Sequence, residues 1–179
     1  MTKSPGNVSQ RLGSFQQIVA IANGFAIETS FAHIQIISYS DKIIRIHAFR
    51  DVAKSHSYAV ELDPSGTLSK DESKSHLLFG TESVKVEFSK DTSTFRFLNL
   101  DGEVINADDE GFGISWIGEQ ITNYKVLQEG EKFIGLGEKT GNLNRRGKAY
   151  QHWNTDQYAY DKGTDPLYCS TPFYIGLHS

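Results

Sequence analysis

Ile18-Val19-Ala20-Ile21-Ala22-Asn23-Gly24-Phe25-Ala26-Ile27-Glu28-Thr29 is the stretch on which the fold assignment rests. Two short apolar-rich runs flank Asn23-Gly24, the dipeptide best suited to the two left-handed residues of a tight hairpin. The stretch predicts two antiparallel strands joined by that turn. His33-Ile34-Gln35-Ile36-Ile37-Ser38-Tyr39 continues the pattern as a third strand, with a turn at Ser40-Asp41-Lys42. Beyond it, Ile44, Ile46 and Ala48 alternate with Arg45, His47 and Phe49. One face is apolar and the other wet, as in an antiparallel sheet with one solvated side.

The same pattern extends in both directions. Residues Met1 to Gly13 are polar and without period, which predicts a flexible N-terminal arm (1–13) ahead of one domain spanning 14–179. Asp51 to Ser75 is a polar surface excursion, because strand signals resume on both sides of it. Leu77-Leu78-Phe79 and Val84-Lys85-Val86-Glu87-Phe88 form the next pair, with Val84, Val86 and Phe88 facing inward. Phe95-Arg96-Phe97-Leu98, Val104-Ile105 and Tyr124-Lys125-Val126-Leu127 follow, separated by turns at Asp101-Gly102 and Asp108-Asp109-Glu110-Gly111. Many short strands without an amphipathic helix predict an all-β fold, an antiparallel β-sandwich. From Glu131 onward the alternation fades into a long irregular stretch rich in Gly, Asn, aromatics and charge. Such stretches in compact domains are more often functional or mobile than idle, and the site is sought there.

Composition agrees with strands and turns: the 179 residues include 11 Phe, 8 Tyr, 2 Trp and 16 Gly but only 4 Pro. It also removes several classes of function. The single cysteine, Cys169, excludes a disulfide scaffold and a cysteine-built metal site, and it reads as a small buried or half-buried residue without a nucleophilic role. Eighteen basic against 22 acidic side chains give a net charge of −4, which offers no footprint for nucleic acid. No apolar run approaches the roughly 18 residues of a membrane span. The polar N-terminus lacks the apolar core of a secretory signal, so the expected location is cytoplasmic and the Asn7-Val8-Ser9 sequon carries little weight.

Candidate chemistry narrows quickly. Gly135-Leu136-Gly137-Glu138-Lys139-Thr140-Gly141 has the outline of a phosphate loop, but Glu138 separates the last glycine from Lys139 and no helix pattern follows. Neither nucleotide nor any other cofactor is expected. The six histidines, at 33, 47, 56, 76, 152 and 178, show no ligand spacing, so no metal is expected either. His33 and His47 fall on the solvent side of their strands. A stand-alone epimerase needs a histidine acid paired with a carboxylate base, and no such pair can be picked from this spacing. That leaves Asp156, Asp161 and Asp165, embedded among Trp153, Tyr158 and Tyr160. A carboxylate among aromatic rings suits a pyranose, whose C–H face stacks while its hydroxyls donate to the carboxylate. An aromatic mini-core whose Asp and Asn side chains cap turns fits the same residues equally well.

Beyond residue types, Glu131-Lys132-Phe133-Ile134-Gly135-Leu136-Gly137-Glu138-Lys139-Thr140-Gly141, Asn144-Arg145-Arg146-Gly147, Trp153-Asn154-Thr155-Asp156, Asp165-Pro166-Leu167-Tyr168 and Pro172-Phe173-Tyr174-Ile175 together resemble glycoside hydrolase family 31. The resemblance is to the end of the family's N-terminal, galactose-mutarotase-like β-sandwich, and a weaker likeness at Ile36 to Ile46 extends it over nearly the whole chain. It implies the non-catalytic N-terminal domain of a retaining α-glycosidase, an α-glucosidase first among the choices. The two catalytic aspartates of such enzymes lie on a (β/α)8 barrel of about 250 residues that this chain does not contain. The domain would pack on the barrel and lend one loop to the substrate pocket. Asp156 matches the loop residue that hydrogen-bonds sugar hydroxyls, a positioning group and neither nucleophile nor proton donor. The implied partner is an oligosaccharide or α-glycoside substrate. The family's sandwich continues past the Pro-Phe-Tyr-Ile strand, so an exposed sheet edge, able to pair with a second copy, is expected here. Position 169 is Cys where Lys or another polar residue is frequent. The alternative is a free-standing carbohydrate-binding or interaction module with Trp153, Tyr158 and Tyr160 as its platform.

Overall fold

The structure, a computed structural model, describes residues 8–52 and 58–178. Met1 to Asn7 with the sequon asparagine, residues 53–57 with His56, and Ser179 lie outside the described residues. Every regular element among the described residues is a strand. The chain divides into two compact units, residues 1–126 and 127–179.

The first unit is a sandwich. Its four-stranded sheet runs in simple order through β2 (Phe15–Ile21), β3 (Gly24–Thr29), β4 (His33–Ser38) and β5 (Ile44–Phe49). The hairpin turns where expected: Asn23 takes a φ of 58° and Ile21 pairs with Gly24. The five-stranded sheet runs from β10 (Val104–Ala107) through β9 (Phe95–Leu98), β8 (Lys85–Ser89) and β7 (His76–Gly80) to β6 (Ser69–Glu72). Its inward residues Leu77, Phe79, Val86, Phe88 and Phe95 bury completely against Ile27, Ile34 and Ile36. Ring contacts stitch the two layers, with Phe25 and Phe79 centroids 5.4 Å apart and Phe15 and Phe88 6.3 Å apart. Each such buried side chain contributes about 1.5–3 kcal/mol. The period-2 alternation therefore finds its core by sheet-on-sheet packing.

Four expectations for this unit need correction. The arm is not loose up to Gly13: β1 (Gln10–Arg11) pairs with β11 (Ile114–Ile117), and Leu12 is buried in the core. Leu12 follows polar neighbours, so no alternation announces it. The hairpin of β11 and β12 (Gln120–Asn123) is an addition, anchored by the buried Trp116. The Asp51 to Ser75 excursion ends in β6, whose Ser69-Lys70-Asp71-Glu72 is exposed at every position. That strand is held by backbone pairing to β7 and blunted by charge, as edge strands commonly are. Tyr124 to Leu127 is not a strand. It contributes an isolated bridge at Lys125 to Asp108, whose Oδ1 lies 2.6 Å from Lys125 Nζ.

In the second unit β13 (Lys132–Gly137) pairs antiparallel with β14 (Ser170–Leu177) from Lys132↔Leu177 to Gly137↔Ser170. The register shifts between Gly135 and Gly137, and Gly135, Leu136 and Gly137 all take positive φ. The glycine run that outlines a phosphate loop is therefore a bulged strand. A Cβ on Gly137 would stand 2.6 Å from the Cys169 carbonyl oxygen, and one on Gly135 would stand 2.7 Å from that of Phe173. Only glycine lets β14 come this close. Between the strands, residues 138–169 carry no regular element, as expected.

Candidate functional site

The irregular segment is held by side chains. Lys139, directly after the bulge, has a side chain with no solvent exposure. Its ammonium donates to the Gln151 carbonyl, to Asp165 Oδ1 at 2.8 Å and to Ser170 Oγ at 3.3 Å. Asp165 completes the knot by accepting the Gln151 N–H on Oδ2 at 2.5 Å. Burial pushes the Asp165 carboxyl up, but the hydrogen bonds from Lys139 and Gln151, with the charges of Lys139 and His152, outweigh it and hold it below the usual carboxylate value. One buried lysine thus ties the end of β13, residue 151, residue 165 and the start of β14 to a single point.

The Trp153-Asn154-Thr155-Asp156 motif hangs from that knot. Ser170 N–H donates to Asn154 Oδ1 at 2.8 Å, and Thr155 N–H donates to the Leu167 carbonyl at 2.9 Å. The first bond explains Asn at position 154, since it uses the side-chain carbonyl oxygen. Asp156 follows the last tie and is exposed. Among the described residues no hydrogen bond or ion pair engages its carboxylate.

The structure separates the three aspartates. Asp161 serves its own turn, with Oδ1 accepting from Gly163 N–H at 2.8 Å and Thr164 Oγ1 at 3.1 Å, bonds that lower its pKa. Asp165 belongs to the lysine knot. Asp156 alone of the three has a carboxylate free for a ligand. The rings around it do not form a mini-core: Trp153 is 72%, Tyr158 96% and Tyr160 53% exposed. Tyr168, whose hydroxyl donates to the Gln157 carbonyl, has its pKa raised by desolvation and then by the charges of Asp156, Tyr160 and Glu138. Asp156, Tyr160 and Glu138 therefore act electrostatically on one phenol.

Other candidates resolve as follows. Cys169 is exposed, not buried, and its carbonyl accepts the Glu138 N–H at 2.7 Å. His33 and His47 are half-buried, their rings 5.4 and 5.1 Å from that of Phe49. Desolvation, then the nearby Arg45 charge, lowers the His47 pKa. His76 does approach a carboxylate, Glu87 Oε1, at 3.8 Å beside a cavity of about 560 Å³. Arg96 Nε already donates to that same oxygen at 2.8 Å, so the pair belongs to a surface ion network. In the sequence Lys139 and Arg145 stand only within motifs, without the structural roles they take here, and nothing marks Tyr150. Lys139 lies 26 residues from Asp165, and no local spacing announces such a pair.

Known proteins place this arrangement. Residues 33–179 match the family described as the glycosyl hydrolase 31 N-terminal galactose mutarotase-like domain. Alpha-glucosidase 2 of Bacillus thermoamyloliquefaciens is 30% identical over 160 residues, 87% of this chain and 20% of that protein. An alpha-glucosidase of Saccharolobus solfataricus is 42% identical over 67 residues, 37% of this chain and 10% of that protein. The structure of a Flavobacterium johnsoniae family 31 dextranase, solved in complex with glucose, superposes with a TM-score of 0.86 at 30% identity, covering 93% of this chain and 21% of that one. The chain thus spans about a fifth of the length of the first of these relatives and of the dextranase. The all-β antiparallel fold agrees with these matches, and the chain belongs to the glycosyl hydrolase 31 N-terminal galactose mutarotase-like domains.

Proposed function

We propose that this chain is the non-catalytic N-terminal domain of a retaining α-glycosidase acting on terminal α-linked glucose. In this reading it packs against a catalytic barrel and presents Asp156 to the substrate. The observation that carries the reading is the free Asp156 carboxylate at the end of a loop fixed by Lys139 and Asp165. A pinned backbone holds a positioning group at low entropic cost, and an ionised acceptor takes sugar hydroxyl protons in strong hydrogen bonds. Asp156 donates no proton in this scheme and attacks nothing. It orients the sugar ring while the barrel performs the displacement.

A chromogenic α-glucoside tests the division of labour. The 179-residue chain alone is expected to give no turnover, and appreciable hydrolysis would overturn the assignment.

The exposure of Trp153, Tyr158 and Tyr160 favours a second reading, a carbohydrate-binding module that works without a barrel. Calorimetric titration of the chain with maltose separates the two. Saturable binding supports the module, and its absence supports a loop that acts only against a barrel. Pairing of two copies along the free edge of β14 is part of neither reading, and sedimentation equilibrium decides it.

A further inference from the structure

The backbone around Asp156 is gripped from both sides. Ahead of it, Thr155 N–H donates to the Leu167 carbonyl at 2.9 Å. Beyond it, the Tyr168 hydroxyl donates to the Gln157 carbonyl. Both residues that adjoin Asp156 are thus tied to two consecutive residues, Leu167 and Tyr168. That short stretch is itself anchored. Leu167 is buried, the Cys169 carbonyl accepts the Glu138 N–H at 2.7 Å, and Ser170 Oγ accepts from Lys139 Nζ at 3.3 Å.

The two ties differ in what they ask of the sequence. The bond at Thr155 joins backbone to backbone, so residue identity matters little to it. The bond at Gln157 needs a hydroxyl on a long rigid side chain, and the phenol at position 168 supplies it. Tyr168 is 41% exposed, so its hydroxyl reaches water as well and the fold does not depend on the bond. Trp153, Tyr158 and Tyr160 are more exposed, and among the described residues none of their side chains hydrogen-bonds to the loop. Desolvation first, and then the charge of Asp156, raises the Tyr168 pKa, so the phenol keeps its proton and stays a donor at neutral pH. Without this bond Asp156 would sit at the open end of a segment tied on one side. The backbone freedom regained there would have to be surrendered each time a ligand bound. We propose that Tyr168 is a positioning residue of the sugar site, its hydroxyl latching Gln157 so that the Asp156 carboxylate is held ready for the substrate. The proposal rests on the reading of Asp156 as a sugar contact, and Tyr168 acts through Asp156 alone.

A double-mutant cycle of Tyr168→Phe and Asp156→Ala, in a longer glycosidase carrying this domain, tests it. Tyr168→Phe keeps the ring and removes the latch. It is expected to lower kcat/KM for an α-glucoside roughly two- to tenfold, the worth of one neutral hydrogen bond, with an unchanged unfolding midpoint. In the Asp156→Ala background the same change should have no effect, because the group it positions is gone. A merely structural tyrosine would cost the same in both backgrounds, so equal losses overturn the proposal. In the 179-residue chain, NMR order parameters of the Asp156 and Gln157 amides should fall in Tyr168→Phe while those of β14 stay; unchanged values overturn it too. If Asp156→Ala lowers kcat/KM and Tyr168→Phe does not, the latch alone is lost. If Asp156→Ala changes nothing, the sugar reading falls and takes the latch with it.

Discussion

Lys139 Nζ stands 2.8 Å from Asp165 Oδ1 with the lysine side chain wholly removed from solvent. The pair joins parts of the chain 26 residues apart, and Gln151 and Ser170 complete its shell. A buried ion pair is weak evidence for stability when compared with an apolar substitute, but losing one partner strands a charge. Lys139→Met should therefore cost about 3–5 kcal/mol in the opening free energy of the 138–170 segment. Adding Asp165→Asn should recover much of that loss, because the stranded charge is gone. Amide exchange at Gln151 and Ser170 measures both variants. Unchanged exchange in Lys139→Met would mean that the pair does not hold the loop.

Acid should begin to act on the first unit at a higher pH than on the second. His47 has a lowered pKa in the folded chain, through desolvation and then Arg45. Between that value and the unfolded one, about 6.5, the unfolded state binds more protons, so stability falls as pH drops below about 6.5. The second unit carries depressed carboxyls at Asp161 and Asp165. Their contribution is complete above the unfolded value of about 4 and is lost as pH falls through the folded values. Urea midpoints across pH 3–8, followed separately in the two units by NMR, should show the first unit weakening first. His47→Gln should flatten the slope just below about pH 6.5 and leave the slope below pH 4 in place.

The sandwich was legible because its signal is local. Val86 and Phe88 alternate with Lys85, Glu87 and Ser89, and Asn23-Gly24 marks its own turn. Elements without alternation were hidden: β6 is exposed at all four positions, and Leu12 is a single buried residue after polar ones. Asp156 was visible as one of three carboxylates among aromatics. What distinguishes it from Asp161 and Asp165 is the partners those two have, Gly163 and Thr164 for one and Lys139 for the other. The Lys139 contact is long-range, set by the β13–β14 register and the bulge, so no spacing rule reveals it.

The bulge can be tested with two glycines of nearly equal backbone angle. Gly137 has a φ of 79° and no room for a Cβ, which would meet the Cys169 carbonyl oxygen at 2.6 Å and the Thr171 nitrogen at 2.7 Å. Gly147 has a φ of 80° with nothing within 4 Å of its Cβ position. Gly147→Ala should cost only the left-handed penalty, about 1–2 kcal/mol. Gly137→Ala adds backbone collision to that penalty and should open the β13–β14 pairing next to Lys139. Thermal unfolding of the two variants, with amide exchange across β14, gives the comparison. Equal effects would mean that crowding at the bulge is unimportant.

Asp156 offers the sharpest separation of stability from function. Its carboxylate makes no hydrogen bond or ion pair among the described residues, so Asp156→Ala and Asp156→Asn should leave the unfolding midpoint of the 179-residue chain where it is. Within a longer glycosidase carrying this domain, each charge-assisted hydrogen bond to a sugar hydroxyl is worth about 1.5–3 kcal/mol. Losing one should lower kcat/KM for an α-glucoside by roughly ten- to a hundredfold. Asp156→Asn keeps an acceptor oxygen without the charge and should lie between wild type and Asp156→Ala. A group that only positions the substrate leaves the ionisations of the catalytic pair alone, so the pH profile of kcat should keep its shape in both variants. A displaced profile would make Asp156 part of the proton-transfer machinery, and unchanged kinetics on every α-glucoside tested would remove it from the substrate site.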